Sequence, residues 1–255
     1  MSDLFASPEM AAGYARSRPA VHPHVIDLAR ARLGLTTPVG LALDVGCGAG
    51  LSTAPLAGLA TLAIGIEPVE TMVRGTPLAA DGVRFAAGRA EAFPVRSGTV
   101  DLITAAGSLN YVDLDRFFAE AVRVLAPGGA LVVYDFSAGR TFRGSGELDL
   151  WFTEFLERYP RAVGAARPLD PETLARVARD FRLVGSERFV IELDHTTDRY
   201  CRYVMTETNV ANAIRNGEPF DAISSWCTAS LADVFGPGPR TVCFPGYLAH
   251  LVPYD

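Results

Sequence analysis

Hydrophobic positions in this chain follow two rhythms. Nearly continuous apolar runs of strand length occupy residues 41–43, 61–66, 83–86, 100–107 and 130–136, and between them apolar residues recur at helical spacing. Helices are expected over 20–33, with Val25, Ile26, Leu28, Ala29 and Leu33 on one face, over 69–74, and over 114–125, which Pro127-Gly128-Gly129 should end. Further helices are expected over 148–159, exposing Trp151, Phe152 and Phe155, and over 171–180, with Glu172 in its first turn. Two last strands read at 188–193 and 240–252, the second broken by Pro245 and Gly246. Strands alternating with helices in this way build an open, mostly parallel sheet.

The chemistry concentrates at LALDVGCGAGLST, residues 41–53, where an apolar run ends on Asp44 and Gly46, Gly48 and Gly50 follow. Glycine serves where φ turns positive or where a ligand lies against bare backbone, so the pattern reads as strand, tight turn and helix start, with a ligand on the turn. A dinucleotide fingerprint needs Gly or Ala where this chain has Leu51. A phosphate loop needs a lysine, and the chain contains none. Asp44 would repel a pyrophosphate but suits a cation, such as an amino-acid ammonium or a sulfonium ligand, or else orders the glycine turn.

The run 61–66 ends on Glu67, a carboxylate at a second strand's C-terminal end. An acid about 20 residues beyond the glycine turn accepts ribose hydroxyls in nucleoside-binding folds. One acid placed for an amino acid and one for a ribose together describe S-adenosylmethionine.

Composition narrows the partners. The 255-residue chain has room for one α/β domain with added elements, and one folding unit is expected. A formal charge of -6 without a basic run disfavours nucleic acid. Cys47, Cys201, Cys227 and Cys243 form no CxxC pair, so neither a disulfide framework nor a metal site is expected, and a cytoplasmic setting fits. No export signal or membrane-spanning run is read, and oligomeric state has no signature here.

The stretches LDVGCGAG (43–50), IGIEPVETM (64–72), FAAGRAEAFPVRSGTVDLI (85–103) and RVLAPGGALVVYD (123–135) resemble, in order and spacing, the class I S-adenosylmethionine-dependent methyltransferases. The likeness is to their small-molecule branch, related to the ubiquinone-biosynthesis and trans-aconitate enzymes. It implies a Rossmann-like α/β fold: a seven-stranded sheet of order 3-2-1-4-5-7-6, the last two strands an antiparallel edge hairpin, with helices on both faces and a small helical cap. It also divides the chain into a leader or lid (1–37), a cofactor-binding core (38–140), cap elements with the sixth strand (141–235) and the last strand (236–255).

The resemblance further implies roles. Tyr14, in AAGYARSRP, would close over cofactor and acceptor. Asp44, Gly46, Cys47, Gly48, Gly50, Glu67, Pro68 and Met72 would line the cofactor, as would Arg89, Ala90 and Glu91 of the adenine segment and Ser108 after the fourth strand. Where relatives often carry Asp, Arg89 offers only donors, so adenine would rest on backbone near Ala90. Ligands of open sheets sit beyond the strands' C-terminal ends, which directs Asn110 and Tyr111 toward the reacting methyl. Trp151, Tyr203 and Thr206 are the expected acceptor contacts from the cap.

Many relatives have His at the position of Asn110, and Asn cannot act as a base near neutral pH. His22, with its neighbour His24, is the candidate in the leader, and Glu207 one by position. With so few bases an acceptor needing little deprotonation is expected. The activity expected is methyl transfer from S-adenosylmethionine, leaving S-adenosylhomocysteine, to an O, N or C nucleophile of a small organic acceptor. A non-methyl reaction on the same fold, such as a cyclisation, a purely binding role, and a nucleoside-dependent oxidoreductase are the alternatives.

Overall fold

A computed structural model describes residues 16–74, 80–161 and 169–254; Tyr14 lies outside them. The chain divides into two compact units, one comprising 21–136, 166–189 and 246–255, the other 1–20, 137–165 and 190–245.

The first unit opens with α1 (Val21–Leu33), β1 (Val39–Val45), β2 (Ala60–Glu67), α2 (Glu70–Arg74), β3 (Val83–Ala87) and β4 (Val100–Ala106). It continues with α3 (Leu114–Val124), β5 (Leu125–Phe136) and α5 (Pro171–Val177). β1 pairs in parallel with β2 and β4, β2 with β3, and β4 with β5. Because both faces of the central strands are covered, Ala42, Leu43, Asp44 and Val45 are all buried in succession. α3 explains itself from the sequence. Asp113 accepts the Arg116 amide at 3.2 Å as N-cap, and Leu114, Phe117, Phe118, Ala121 and Val124 form the buried stripe.

Two features depart from expectation here. α3 ends at Val124, and Pro127-Gly128-Gly129 falls inside β5, in a register irregularity between the pairs Val100↔Leu125 and Leu102↔Ala130. The glycines thus let the strand bulge rather than stop the helix. After the glycine turn the chain forms a short 3-10 segment, Ala54–Gly58, with Pro near its start, in place of the expected helix.

The sheet has eight strands in the order β3-β2-β1-β4-β5-β8-β6, with β7 (Phe181–His195) paired to β8 (Arg240–Pro253). β8 runs antiparallel to β5, Leu131 facing Leu251 and Phe136 facing Gly246. The eighth strand is the two-residue β6 (Thr141–Phe142). With β6 set aside, the long strands keep the expected 3-2-1-4-5-7-6 order. β8 runs unbroken through Pro245 and Gly246.

The second unit is mostly helical: α4 (Glu147–Arg158), α6 (Thr197–Val204), α7 (Thr208–Arg215) and α8 (Phe220–Phe235). Trp151, Phe152 and Phe155 are buried, not exposed. Trp151 stacks on Phe155 at 5.1 Å and Trp226 at 5.8 Å, because the aromatic face of α4 is the one that packs on α8. Among the described residues, no helix is long and apolar enough to cross a membrane, and no three His, Cys, Asp or Glu side chains gather as metal ligands would.

Candidate functional site

The turn after β1 is held from below. Gly46, Gly48 and Gly50 have φ of 68°, 54° and 82°, and a Cβ on Gly46 would overlap that of Ser108. The Gly46 and Cys47 amides donate to the Ile66 carbonyl at 2.8 and 3.1 Å.

Asp44 corrects the expectation of a cation ligand. Its side chain is completely buried; Oδ2 accepts from the hydroxyls of Ser52 (2.6 Å) and Thr53 (2.7 Å), and Oδ1 from Thr104 (3.0 Å). The pairing Asp44↔Thr104 across β1 and β4 sets the last contact. Burial pushes the carboxyl above the usual aspartate value although all three hydroxyls favour its ionised form. Asp44 therefore ties the far side of the turn to the sheet and cannot reach a ligand. Cys47 corrects similarly: its thiol is buried, points where Gly65 lacks a side chain, and is pushed far above the ordinary thiol value by burial, so only its backbone faces the turn.

Glu67 is placed as expected. At the end of β2, its Oε2 accepts the Gly48 amide and its Oε1 the Val69 amide, each at 3.0 Å. Burial raises its carboxyl above the usual glutamate value against both bonds. Each oxygen retains a second lone pair for a further donor. Met72 is buried with its Cε 3.4 Å from where a Gly48 Cβ would stand, so the methionine packs directly against the glycine turn. Pro68 is exposed beside Glu67.

Of the adenine segment, Ala90 is buried while Arg89 is largely exposed and pairs with Glu91 at 3.6 Å. Glu91 Oε1 also accepts the Asp113 amide at 3.2 Å, so both charged side chains serve the local fold. Ser108 donates to the Val45 carbonyl at 2.5 Å, locking the loop after β4 against the end of β1 rather than offering its hydroxyl outward.

Beyond β4, Asn110 Nδ2 donates to Asp135 Oδ2 at 3.2 Å, and the Phe136 amide donates to Oδ1 at 2.8 Å. Asp135, the penultimate residue of β5, is half-buried, and its carboxyl is raised above the ordinary value, burial outweighing both bonds. Asp135 lies inside the strand expected over 130–136, and its spacing alone points to no role. Tyr111 is half exposed on the same loop. His22, in the first turn of α1, shares a hydrogen bond between Nδ1 and the buried Tyr134 hydroxyl at 2.9 Å and meets Phe136 edge-on at 5.2 Å. That places it among aromatic packing as a partner of Tyr134.

In the second unit the expected acceptor contacts turn inward. Trp151 Nε1 donates to Ser230 Oγ at 2.8 Å, and Tyr203, 1% exposed, donates to the Ala138 carbonyl at 2.8 Å. Thr206 Oγ1 donates to the Tyr203 carbonyl at 2.6 Å, and Glu207 pairs with Arg18 at 2.9 Å. Trp151 and Tyr203 are core residues, because an aromatic stripe at helical spacing meets other aromatics here; Thr206 caps its own helix.

Residues 43–133 match the family described as a methyltransferase domain. The ubiquinone/menaquinone biosynthesis C-methyltransferase UbiE of Acidiphilium cryptum is 35% identical over 104 residues, 40% of each chain. The ubiquinone biosynthesis O-methyltransferase of Mesorhizobium japonicum is 29% identical over 167 residues, 63% of this chain and 66% of that protein. The matches thus span two fifths and just under two thirds of these relatives. A solved protein from Anaeromyxobacter dehalogenans, assigned to the type II methyltransferases, superimposes with a TM-score of 0.66 at 23% identity over 88% of this chain and 94% of its own. At that identity the likeness is one of fold. Residues 43–133 are thus similar to a methyltransferase domain, and the strands they contribute belong to a Rossmann-like α/β fold.

Proposed function

We propose that this protein transfers a methyl group from S-adenosylmethionine to a small organic acceptor. The observation that carries the reading is Glu67: a carboxylate fixed by the Gly48 and Val69 amides, with one lone pair per oxygen left for a vicinal diol. The positive-φ glycines and Met72 fit the remainder of a nucleoside and its amino-acid tail against bare backbone. When bound, the cofactor supplies a methyl made electrophilic by its sulfonium.

What the chain adds is position and proton handling. Orientation alone is worth roughly 7 to 11 kcal/mol in reactions of this order. Asp135, half-buried and oriented by Asn110, is a carboxylate that can accept a proton from an acceptor hydroxyl or ammonium. This supplies the base that the histidines do not, and it favours O and N nucleophiles. Four unpaired cysteines accord with a cytoplasmic setting.

The test is incubation with methyl-labelled S-adenosylmethionine and a panel of phenols, carboxylic acids and amines, followed by mass spectrometry. A labelled product with release of S-adenosylhomocysteine supports the reading. Calorimetric binding of the cofactor without transfer to any acceptor points instead to a binding protein or a non-methyl reaction; no binding at all overturns it.

A further inference from the structure

Arg140 lies in the second unit, immediately before β6, with its guanidinium over the Phe152 ring at 4.5 Å to the centroid. The backbone leading to it is clamped. Tyr203 donates to the Ala138 carbonyl at 2.8 Å and Tyr200 to the Gly139 carbonyl at 2.7 Å, both from buried positions on α6. Arg140 is therefore not a loosely held surface side chain: its stem, its aromatic floor and the preceding peptides are fixed.

Its charge, however, is unmatched. Among the described residues no oxygen accepts a hydrogen bond from Arg140 and no carboxylate pairs with it, and its Nε is completely buried without a partner. The carboxylate that acts on the same Tyr200 hydroxyl, Glu207, is already engaged by Arg18 at 2.9 Å. A half-buried guanidinium with unused donors is costly unless an anion completes it. Its planar fork matches carboxylate and phosphate oxygens in pairs, and the arene beneath leaves the fork's edge as the binding surface. By contrast Arg143, three residues on, is exposed and has Glu192 at 3.1 Å.

We propose that Arg140 is an oxyanion-binding site, the anchor for a small ligand carrying a carboxylate or phosphate group. The site is defined within the second unit and does not depend on methyl transfer.

Calorimetric titration of the full chain with sodium malonate and, separately, inorganic phosphate, at constant ionic strength set with chloride, tests it. Saturable binding of one probe is expected, and which one binds tells carboxylate from phosphate. Arg140→Gln should weaken that binding about tenfold or more, Arg143→Gln should leave it unchanged, and S-adenosylhomocysteine affinity should be the same in all three proteins. No saturable binding of either probe to the wild type, or equal affinity in Arg140→Gln, overturns the proposal. Should Arg140→Gln fail to fold, the wild-type Arg140 Nε–H resonance reads the same event: it should move to saturation with the bound probe, and an unmoved resonance overturns the site. Because no acceptor or turnover enters these measurements, anion binding and methyl transfer stand or fall separately.

Discussion

Asn110 Nδ2 donates to Asp135 Oδ2 across 3.2 Å, joining the loop after β4 to the end of β5. Asn110 leaves this carboxylate basic while fixing its direction, a different arrangement from a histidine acting alone. With an acceptor identified as above, Asp135→Asn should lower kcat by about 10²-fold or more, the range of a removed general base, with cofactor affinity unchanged. Since burial raises the Asp135 carboxyl, the acid limb of the wild-type rate profile should fall above the ordinary aspartate range and vanish in the variant. His22→Ala, by contrast, should retain that limb. An Asp135→Asn enzyme with full turnover would remove the carboxylate from the chemistry.

Glu67 offers a second pH signature. Ribose hydroxyls donate to its ionised form, so S-adenosylmethionine affinity should weaken as pH falls through the Glu67 carboxyl, at a midpoint above the usual 4.5 because burial raises it. Glu67→Gln should lose roughly 1.5 to 3 kcal/mol of affinity at neutral pH, as expected for charge-assisted bonds, and should flatten that dependence. Calorimetry across pH checks both, and unchanged affinity in the folded variant contradicts the assignment.

Removing the Asp44 carboxylate leaves the hydroxyls of Ser52 and Thr53 buried without their acceptor and Thr104 with only the Leu43 carbonyl at 3.4 Å. Asp44→Ala should therefore destabilise the fold by about 3 kcal/mol or more, read as a lower urea midpoint. Cofactor affinity extrapolated to the folded fraction should change much less than in Glu67→Gln. A variant as stable as the wild type but unable to bind cofactor would return Asp44 to a direct ligand role.

His195 predicts acid sensitivity. Its ring is buried between Tyr200 and Phe244, Nδ1 contacts the Leu193 carbonyl at 3.0 Å, Nε2 has no partner among the described residues, and burial lowers its proton affinity below the usual 6.5. The unfolded chain then binds a proton that the folded one refuses. The folded state keeps its full margin above about pH 6.5 and loses it as pH falls through that value toward the lower folded one. His195→Gln should narrow the stability difference between pH 7.5 and 5.5 in denaturant melts; an identical difference would assign the loss to other groups.

The strand ends were legible because apolar runs stop abruptly at Asp44 and Glu67, and α3 because its stripe and N-cap agree. The place of Glu67 at the end of β2 was legible from position alone, since its partners are the neighbouring turns. Asp44 could not: Ser52 and Thr53 lie eight and nine residues on, and Thr104 sixty, and only β1 beside β4 brings them together. Trp151 and Tyr203 misled for a related reason. An aromatic stripe states that a helix has a buried face, not whether a ligand or another helix fills it. β7 begins before the expected residue 188, because Arg182, Val184, Ser186 and Arg188 are exposed and alternate with positions that are only half-buried, which masks the strand in the sequence. Arg140 had no signal at all, since an unmatched charge is visible only once its surroundings are known.

Glu67 binds the Gly48 amide nineteen residues before it and the Val69 amide two residues after it, so the turns following β1 and β2 share one anchor. Much of the conformational entropy of these two turns is lost on folding, before any ligand arrives. A nucleoside bound there as proposed would meet a shape already formed, and little of its interaction enthalpy would be spent on ordering the loops that receive it.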